Sequence, residues 1–168
     1  MSTDTYAWLC RQIVEPAQDA MIFADRDGII RLWNAGAEAI FGYRAEEAVG
    51  HTLDLTIPEH LRARHWAGYC QVMATGVTRY GREVLAVPAL RKDGTCMSLE
   101  FTIILVRSAA GALLGPAAII RDVTARWQRE KAMKARLATL EARVRDAYGR
   151  AEDARREGET PDRRIPPG

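Results

Sequence analysis

Apart from scattered carboxylates, three histidines and three cysteines are the side chains of this sequence able to bind a metal or move a proton near neutral pH. His65 stands out by its neighbours. It lies within PEHLRARHWAGYCQVMATG, residues 58–76, a segment that also carries Leu61, Tyr69, Val72 and Met73. Residues three, four or seven apart share a helix face, so Leu61, His65, Val72 and Met73 fall close to one stripe. An imidazole on an apolar stripe must satisfy its ring nitrogens. It does so by hydrogen bonds inside the fold or by binding something held there, and the pattern alone leaves both open. His60 comes early in the same helix, where exposure is expected, and is a weaker alternative ligand. His51 follows Gly50 in a turn. Met73 and Met97 are conceivable further ligands, although methionine in an apolar setting more often fills core.

Other chemistry has little support. There is no GxSxG, no HExxH and no phosphate-binding loop. Cys10, Cys70 and Cys96 are scattered, with no CxxC and no zinc spacing, and read as free, partly buried thiols. Glu38, Glu46 and Glu47 fall on expected surface helices and read as solvated. Arg62 and Arg64 read as a solvated face. The sequence therefore predicts no enzyme.

The elements that must position His65 follow from pattern. Residues 4–15, DTYAWLCRQIVE, place Tyr6, Trp8, Leu9 and Ile13 at helical spacing, and Pro16 stops the run. That amphipathic helix, within segment 1–17, needs a partner surface on its own domain or on a second copy. AMIFA and GIIRLW are β-rich runs joined by Asp25-Arg26-Asp27-Gly28, a hairpin signal. Asn34 caps a short helix ending at Gly42, and a second short helix begins near Ala45 and ends by Gly50. After the central helix come three strand-like segments, Tyr80 to Leu90, Thr95 to Val106 and Ala112 to Arg121, with turns too short for anything but antiparallel pairing. Pro88 assigns the first of them to an edge or a bulge. The sum is an α+β domain over residues 18–123, a five-stranded antiparallel sheet with small helices on one face. From Thr124 the period changes. Met133, Leu137, Leu140, Val144, Ala147, Ala151 and Ala154 form a heptad seam, so residues 124–155 read as a coiled-coil helix that a parallel homodimer would bury. Residues 156–168 are charged and Pro-rich, and disorder is expected. Trp33 and Trp127 are expected to pack domain against coil or against a second subunit. Trp66, next to His65, is expected to be a packing or surface aromatic on a different helix face.

Composition sets the class. The 168 residues are 48% hydrophobic and 27% charged, ordinary for a globular protein. A net charge of +2 does not point to nucleic acid. No apolar run reaches membrane-spanning length and the N-terminus lacks a signal-peptide pattern. The expectation is a cytoplasmic protein without nucleic-acid or membrane partners. No kinase, cyclase or DNA-binding domain is expected after the coil, and the chain is expected to act on a separate partner such as a kinase or other effector.

The motif order Asp27-Gly28-Ile29-Ile30, Trp33-Asn34, Ala37-Glu38, Ile40-Phe41-Gly42-Tyr43 and Glu46-Glu47-Ala48-Val49-Gly50 resembles the first half of a PAS domain. Arg91-Lys92-Asp93-Gly94 resembles the family's hairpin turn between its last long strands. Arg121-Asp122-Val123-Thr124 resembles its hand-over to an output helix. The resemblance covers roughly residues 12–124, and several motifs in the right order make it specific.

One branch, found in oxygen-sensing histidine kinases, binds haem b through a His on the central helix. The spacing from Pro58-Glu59 to His65 and from there to Asp93-Gly94 looks the same here. The resemblance thus implies His65 as the iron ligand, with Leu61, Tyr69, Val72, Ile103 and Leu105 as pocket walls and Arg79 near a propionate. Where that branch carries an oxygen-binding Arg, this chain has Leu85, and Arg82 lies on the opposite strand parity. The implied function is a sensor of a diatomic gas or of redox state, signalling through the coil. The alternative is a cofactor-free PAS module for dimerisation or adaptor contacts. Flavin is a weaker possibility, because the Asn-Cys-Arg run of light-sensing relatives is missing.

Overall fold

The structure is a computed structural model that describes residues 1–78 and 84–158. It divides into two compact units, Met1–Ala125 and Arg126–Gly168. Among the described residues no helix is long and apolar enough to cross a membrane.

In the first unit the elements run α1 (Thr3–Val14), β1 (Ala20–Ala24), β2 (Ile30–Trp33), α2 (Ala35–Phe41), α3 (Ala45–Ala48), a 3-10 turn at Leu53–Leu55, α4 (Glu59–Thr75), β3 (Leu85–Leu90), β4 (Cys96–Arg107) and β5 (Leu113–Asp122). The strands form one antiparallel sheet in the order β2-β1-β5-β4-β3. This is the α+β architecture expected from the pattern. Pro88 sits on β3, an edge strand, where its missing N–H costs no central ladder bond. The stretch expected to begin that strand, from Tyr80, lies largely outside the described residues, as do Arg79 and Arg82.

The β1–β2 hairpin turns as its residues dictate. The Asp25 carboxylate accepts hydrogen bonds from the amides of Asp27 (3.0 Å) and Ile29 (3.1 Å), and Gly28 takes φ +75°. Gly28 has a second role. A Cβ there would come within 2.2 Å of the Trp66 ring, so the glycine lets α4 lie against the hairpin.

Asn34 is 1% exposed and does more than cap α2. Its Oδ1 accepts from the amides of Ala37 (3.0 Å) and Met21 (2.8 Å), and its Nδ2 donates to the carbonyls of Val14 (2.9 Å) and Asp19 (3.1 Å). One buried amide thereby joins the end of α1, the start of β1 and the start of α2.

The interior has two apolar clusters. The larger contains Ile22, Ile30, Trp33, Phe41, Met97, Leu99 and Ile120. Trp33 is 4% exposed, stacks on Phe41 at 5.2 Å and donates Nε1–H to the Tyr43 carbonyl. It is a core residue, which corrects its expected role against the coil or a second subunit. The expectation of solvated carboxylates also needs correction. Glu38 accepts from the Ala45 amide at 2.6 Å, and Glu47 accepts from the Arg44 amide and pairs with Lys92. Glu38 and Glu47 together hold the N-terminus of α3, while Glu46 is exposed as expected. Cys70 and Cys96 are exposed rather than partly buried.

The exit from the sheet is a hydrogen-bonded knot. Asp122 Oδ1 accepts from the amide and hydroxyl of Thr124, and Thr124 Oγ1 accepts from the Ser98 amide at 2.9 Å. Arg91, in the β3–β4 turn, donates to Asp122 and to the Ile40 carbonyl at the end of α2.

α5 spans Thr124–Gly158, and the rest of the tail expected to be disordered, 159–168, lies outside the described residues. In the second unit the seam residues Met133, Leu137, Leu140 and Val144 are all exposed, 45% or more, as an unpaired heptad face in a single chain would be. Trp127 is half exposed, with the Lys131 ammonium over its ring.

Candidate functional site

α4 begins after Pro58, whose fixed φ suits the residue before a helix, and ends at Gly76 in the left-handed conformation. Tyr69 and Met73 are its buried residues, while Leu61, His65, Trp66 and Val72 are half-buried. Tyr69 donates its hydroxyl proton to the Asp25 carbonyl, and Trp66 donates Nε1–H to Asp54 at 2.9 Å. Both bonds tie α4 to segments on either side of β2. Burial, with Asp25 and Asp27 nearby, pushes the Tyr69 phenol well above its usual range, so it stays a donor.

The His65 ring forms a triangle with two aromatic rings, 5.1 Å from Trp66 and 5.8 Å from Tyr69, which are 5.3 Å from each other. Trp66 therefore shares the inward side with His65, contrary to the expectation that adjacent positions face apart. Its large ring reaches back over Gly28. Burial lowers the proton affinity of His65, and the Asp54 carboxylate only partly offsets this. The ring is therefore held neutral. A neutral imidazole carries one N–H and one lone pair. The buried Nδ1 has no hydrogen-bond partner among the described residues. A buried polar atom left this way costs about 1–3 kcal/mol unless something outside the chain satisfies it.

The expected pocket walls divide. Tyr69, Val72 and Leu105 meet in the smaller apolar cluster with Met73, Leu113 and Trp66. Leu61, Leu85 and Ile103 belong to neither cluster. The β4 side chains alternate, so Phe101, Ile103 and Leu105 share the inner face with the buried Met97 and Leu99. Leu85 stands opposite Phe101, and Ile103 opposite Ala118 of β5. Phe101, Ile103, Leu105 and Leu85 are only half-buried, although β4 is flanked by strands on both sides. The inner face is thus closed at Met97 and Leu99 and opens as an apolar surface further along. Among the described residues, no three of His, Cys, Asp and Glu gather as a metal cluster. An iron held by one imidazole and a macrocycle needs no such cluster. A neutral imidazole with an unpartnered nitrogen and a half-open apolar sheet face fit a His-ligated porphyrin in donor and in polarity.

Sequence reasoning missed the Trp66–Gly28 contact and the Trp66–Asp54 bond. A Gly in an Asp-Gly turn is accounted for locally, and only the fold reveals its second partner.

The PAS fold model PAS_4 matches residues 14–128. The chain belongs to this family of PAS-fold domains. It is 36% identical over 125 residues to an uncharacterised protein of Azorhizobium caulinodans, 30% over 137 residues to sensor protein FixL of Bradyrhizobium diazoefficiens, and 33% over 132 residues to the signal transduction histidine-protein kinase AtoS of Escherichia coli. These matches cover 74%, 80% and 76% of this chain but 17%, 25% and 20% of those proteins, so the chain spans a quarter or less of each. Among solved structures, the PAS domain of a Colwellia psychrerythraea protein aligns with a TM-score of 0.62 at 21% identity, over 71% of this chain and 98% of that one. The chain is a PAS module related to those of sensor proteins.

Proposed function

We propose that this PAS module binds haem b through His65 and senses a diatomic gas or redox state. The observation that carries the reading is the buried, unpartnered Nδ1 of an imidazole held neutral by burial. The resemblance to the haem-binding branch and the similarity to sensor protein FixL support it. Haem held there would supply iron able to bind a diatomic gas or to carry one electron. The chain's part is to present His65 as a neutral ligand, to keep water away with Leu61, Val72, Ile103 and Leu105, and to set polarity opposite the ligand. Leu85 offers no hydrogen bond to a polar gas molecule. Arg79, the expected propionate anchor, lies outside the described residues. The knot at Asp122 and Thr124 is the route by which a shift of β4 or β5 would reach α5.

The test is an absorbance spectrum of protein expressed with haem supply, before and after dithionite and CO. A Soret band at near one haem per chain that shifts with CO, and that His65→Ala abolishes while circular dichroism stays native, is expected. A protein that stays colourless on haem titration overturns the proposal. A yellow, fluorescent preparation would substitute flavin.

A second reading rests on a different observation. Tyr6, Trp8 and Ile13 on α1 are 58–61% exposed, and the α5 seam is bare. In this reading the module is a homodimerising adaptor for a separate kinase or effector, with no cofactor.

A further inference from the structure

A cleft of about 390 Å³ opens between α4, the loop before it, the segment after α2 and the β3–β4 turn. None of the residues named for the proposed haem site lines it, although Asp54, which does, also acts on His65. The cleft's titratable lining is Arg62, Arg91, Lys92, His51 and Asp54; Lys92 is paired with Glu47 and Arg91 with Asp122, while Arg62 has only a long pair with Asp54. Its apolar walls are Tyr43, Leu55 and Leu90.

The cations are held in place. Arg62 donates Nε–H to the Ile57 carbonyl and one Nη2–H to the Asp54 carbonyl, both at 3.1 Å, which orients the guanidinium and leaves Nη1 without a partner among the described residues. Its ion pair with the Asp54 carboxylate is long, 3.8 Å, and that carboxylate also accepts from Trp66. Arg91 is shared between the Ile40 carbonyl and Asp122. A planar guanidinium fixed by two of its own bonds, in a cleft that a second guanidinium and apolar walls also line, is matched by a planar anion with an apolar body.

We infer that this cleft binds a small organic carboxylate with an aromatic or branched apolar body. Arg62 grips one carboxylate oxygen, and Arg91 turns toward the other at the expense of Asp122. The cleft would then be a second chemical input to the residue that holds the start of α5. Binding there and the Arg91–Asp122 pair are alternatives, so each weakens the other by the same factor.

The test is titration of the isotope-labelled full chain with sodium benzoate, read on backbone amide resonances, with benzamide as the neutral isostere. Benzoate is expected to shift the amides of Arg62, Leu90 and Gly94, and benzamide to leave them in place. Arg62→Gln should weaken binding at least tenfold, with Arg62→Lys intermediate. Asp122→Asn should tighten it several-fold by releasing Arg91. If Arg62→Gln loses the native spectrum, the Asp122→Asn arm decides. No shifts at millimolar benzoate, equal response to benzamide, shifts confined to the inner sheet face near Ile103, or unchanged affinity in Asp122→Asn each overturn the assignment.

Discussion

The neutral His65 ring makes stability depend on pH in a definite direction. Burial depresses its affinity for protons in the folded chain relative to the unfolded one, whose imidazole titrates near the ordinary 6.5. The unfolded state binds more protons below that value, so stability falls as pH drops from about 7 toward the depressed folded value and is fully present above. The Tm of the wild-type protein should therefore decline between pH 7 and 5, and His65→Gln should flatten that slope in a scanning calorimeter. An equal slope in both proteins would mean that other groups dominate the acid response. Leu85 carries a second residue-scale prediction, one that rests on the haem proposal. Leu85→Arg should raise O₂ affinity relative to CO at least tenfold by supplying a hydrogen-bond donor, measurable by gas titration. At this scale the sequence was readable where side chains follow backbone periodicity. His65 fell on an apolar stripe and proved inward. Trp66 did not follow, because an indole is long enough to reach back from the neighbouring position, and what it reaches, Gly28, lies 38 positions earlier. Trp33 was misread for the converse reason. A tryptophan at the end of a strand gives no sign of whether a helix will cover it, and here Phe41 of α2 does.

Elements were more legible than contacts. The Asp27-Gly28 and Asp93-Gly94 signals located two hairpins, the helix caps fell at Asn34 and Gly42, and Pro88 marked an edge strand, all from local backbone chemistry. The division of the core into two clusters was not legible, because the packing of α4 over the sheet depends on side chains far apart in sequence. Nor was the role of Arg91, which the sequence placed only in a hairpin turn. It joins α2, the β3–β4 turn and Asp122. Removing it leaves the Ile40 carbonyl and a carboxylate without their partner. Both side chains of the ion pair are about a quarter to a third exposed, 30% for Arg91 and 24% for Asp122, so water recovers part of the loss. Arg91→Ala should cost about 1–2 kcal/mol, seen as a lower urea midpoint with an unchanged slope. A midpoint equal to wild type would mean the knot is held by the Thr124 and Ser98 bonds alone.

Among the described residues, apolar area is left open on α1 and along α5 as well as on the inner sheet face. A chain that exposes Tyr6, Trp8 and Ile13 on one helix and a heptad seam on another gains by burying them in a second copy. Apparent stability should then rise with protein concentration. Leu137→Glu, at the middle of the seam, should halve the solution mass measured by sedimentation at micromolar concentration. A mass still twice that of one chain would assign the interface to α1 or the outer sheet face instead.

The strand order has one more effect, on when the domain can form. The first strand made, β1, lies between β2 and the last strand, β5. A two-stranded hairpin alone is at best marginally stable in water. During synthesis the leading hairpin must therefore wait, with only the short helices α2 and α3 to cover it, until residues past Asp122 have left the ribosome. Nearly the whole domain then closes in one late, non-local step, which is slow by nature and leaves a window for misassembly or chaperone capture. A chain stopped at residue 112 should show no native circular dichroism, and one carried past Thr124 should regain it.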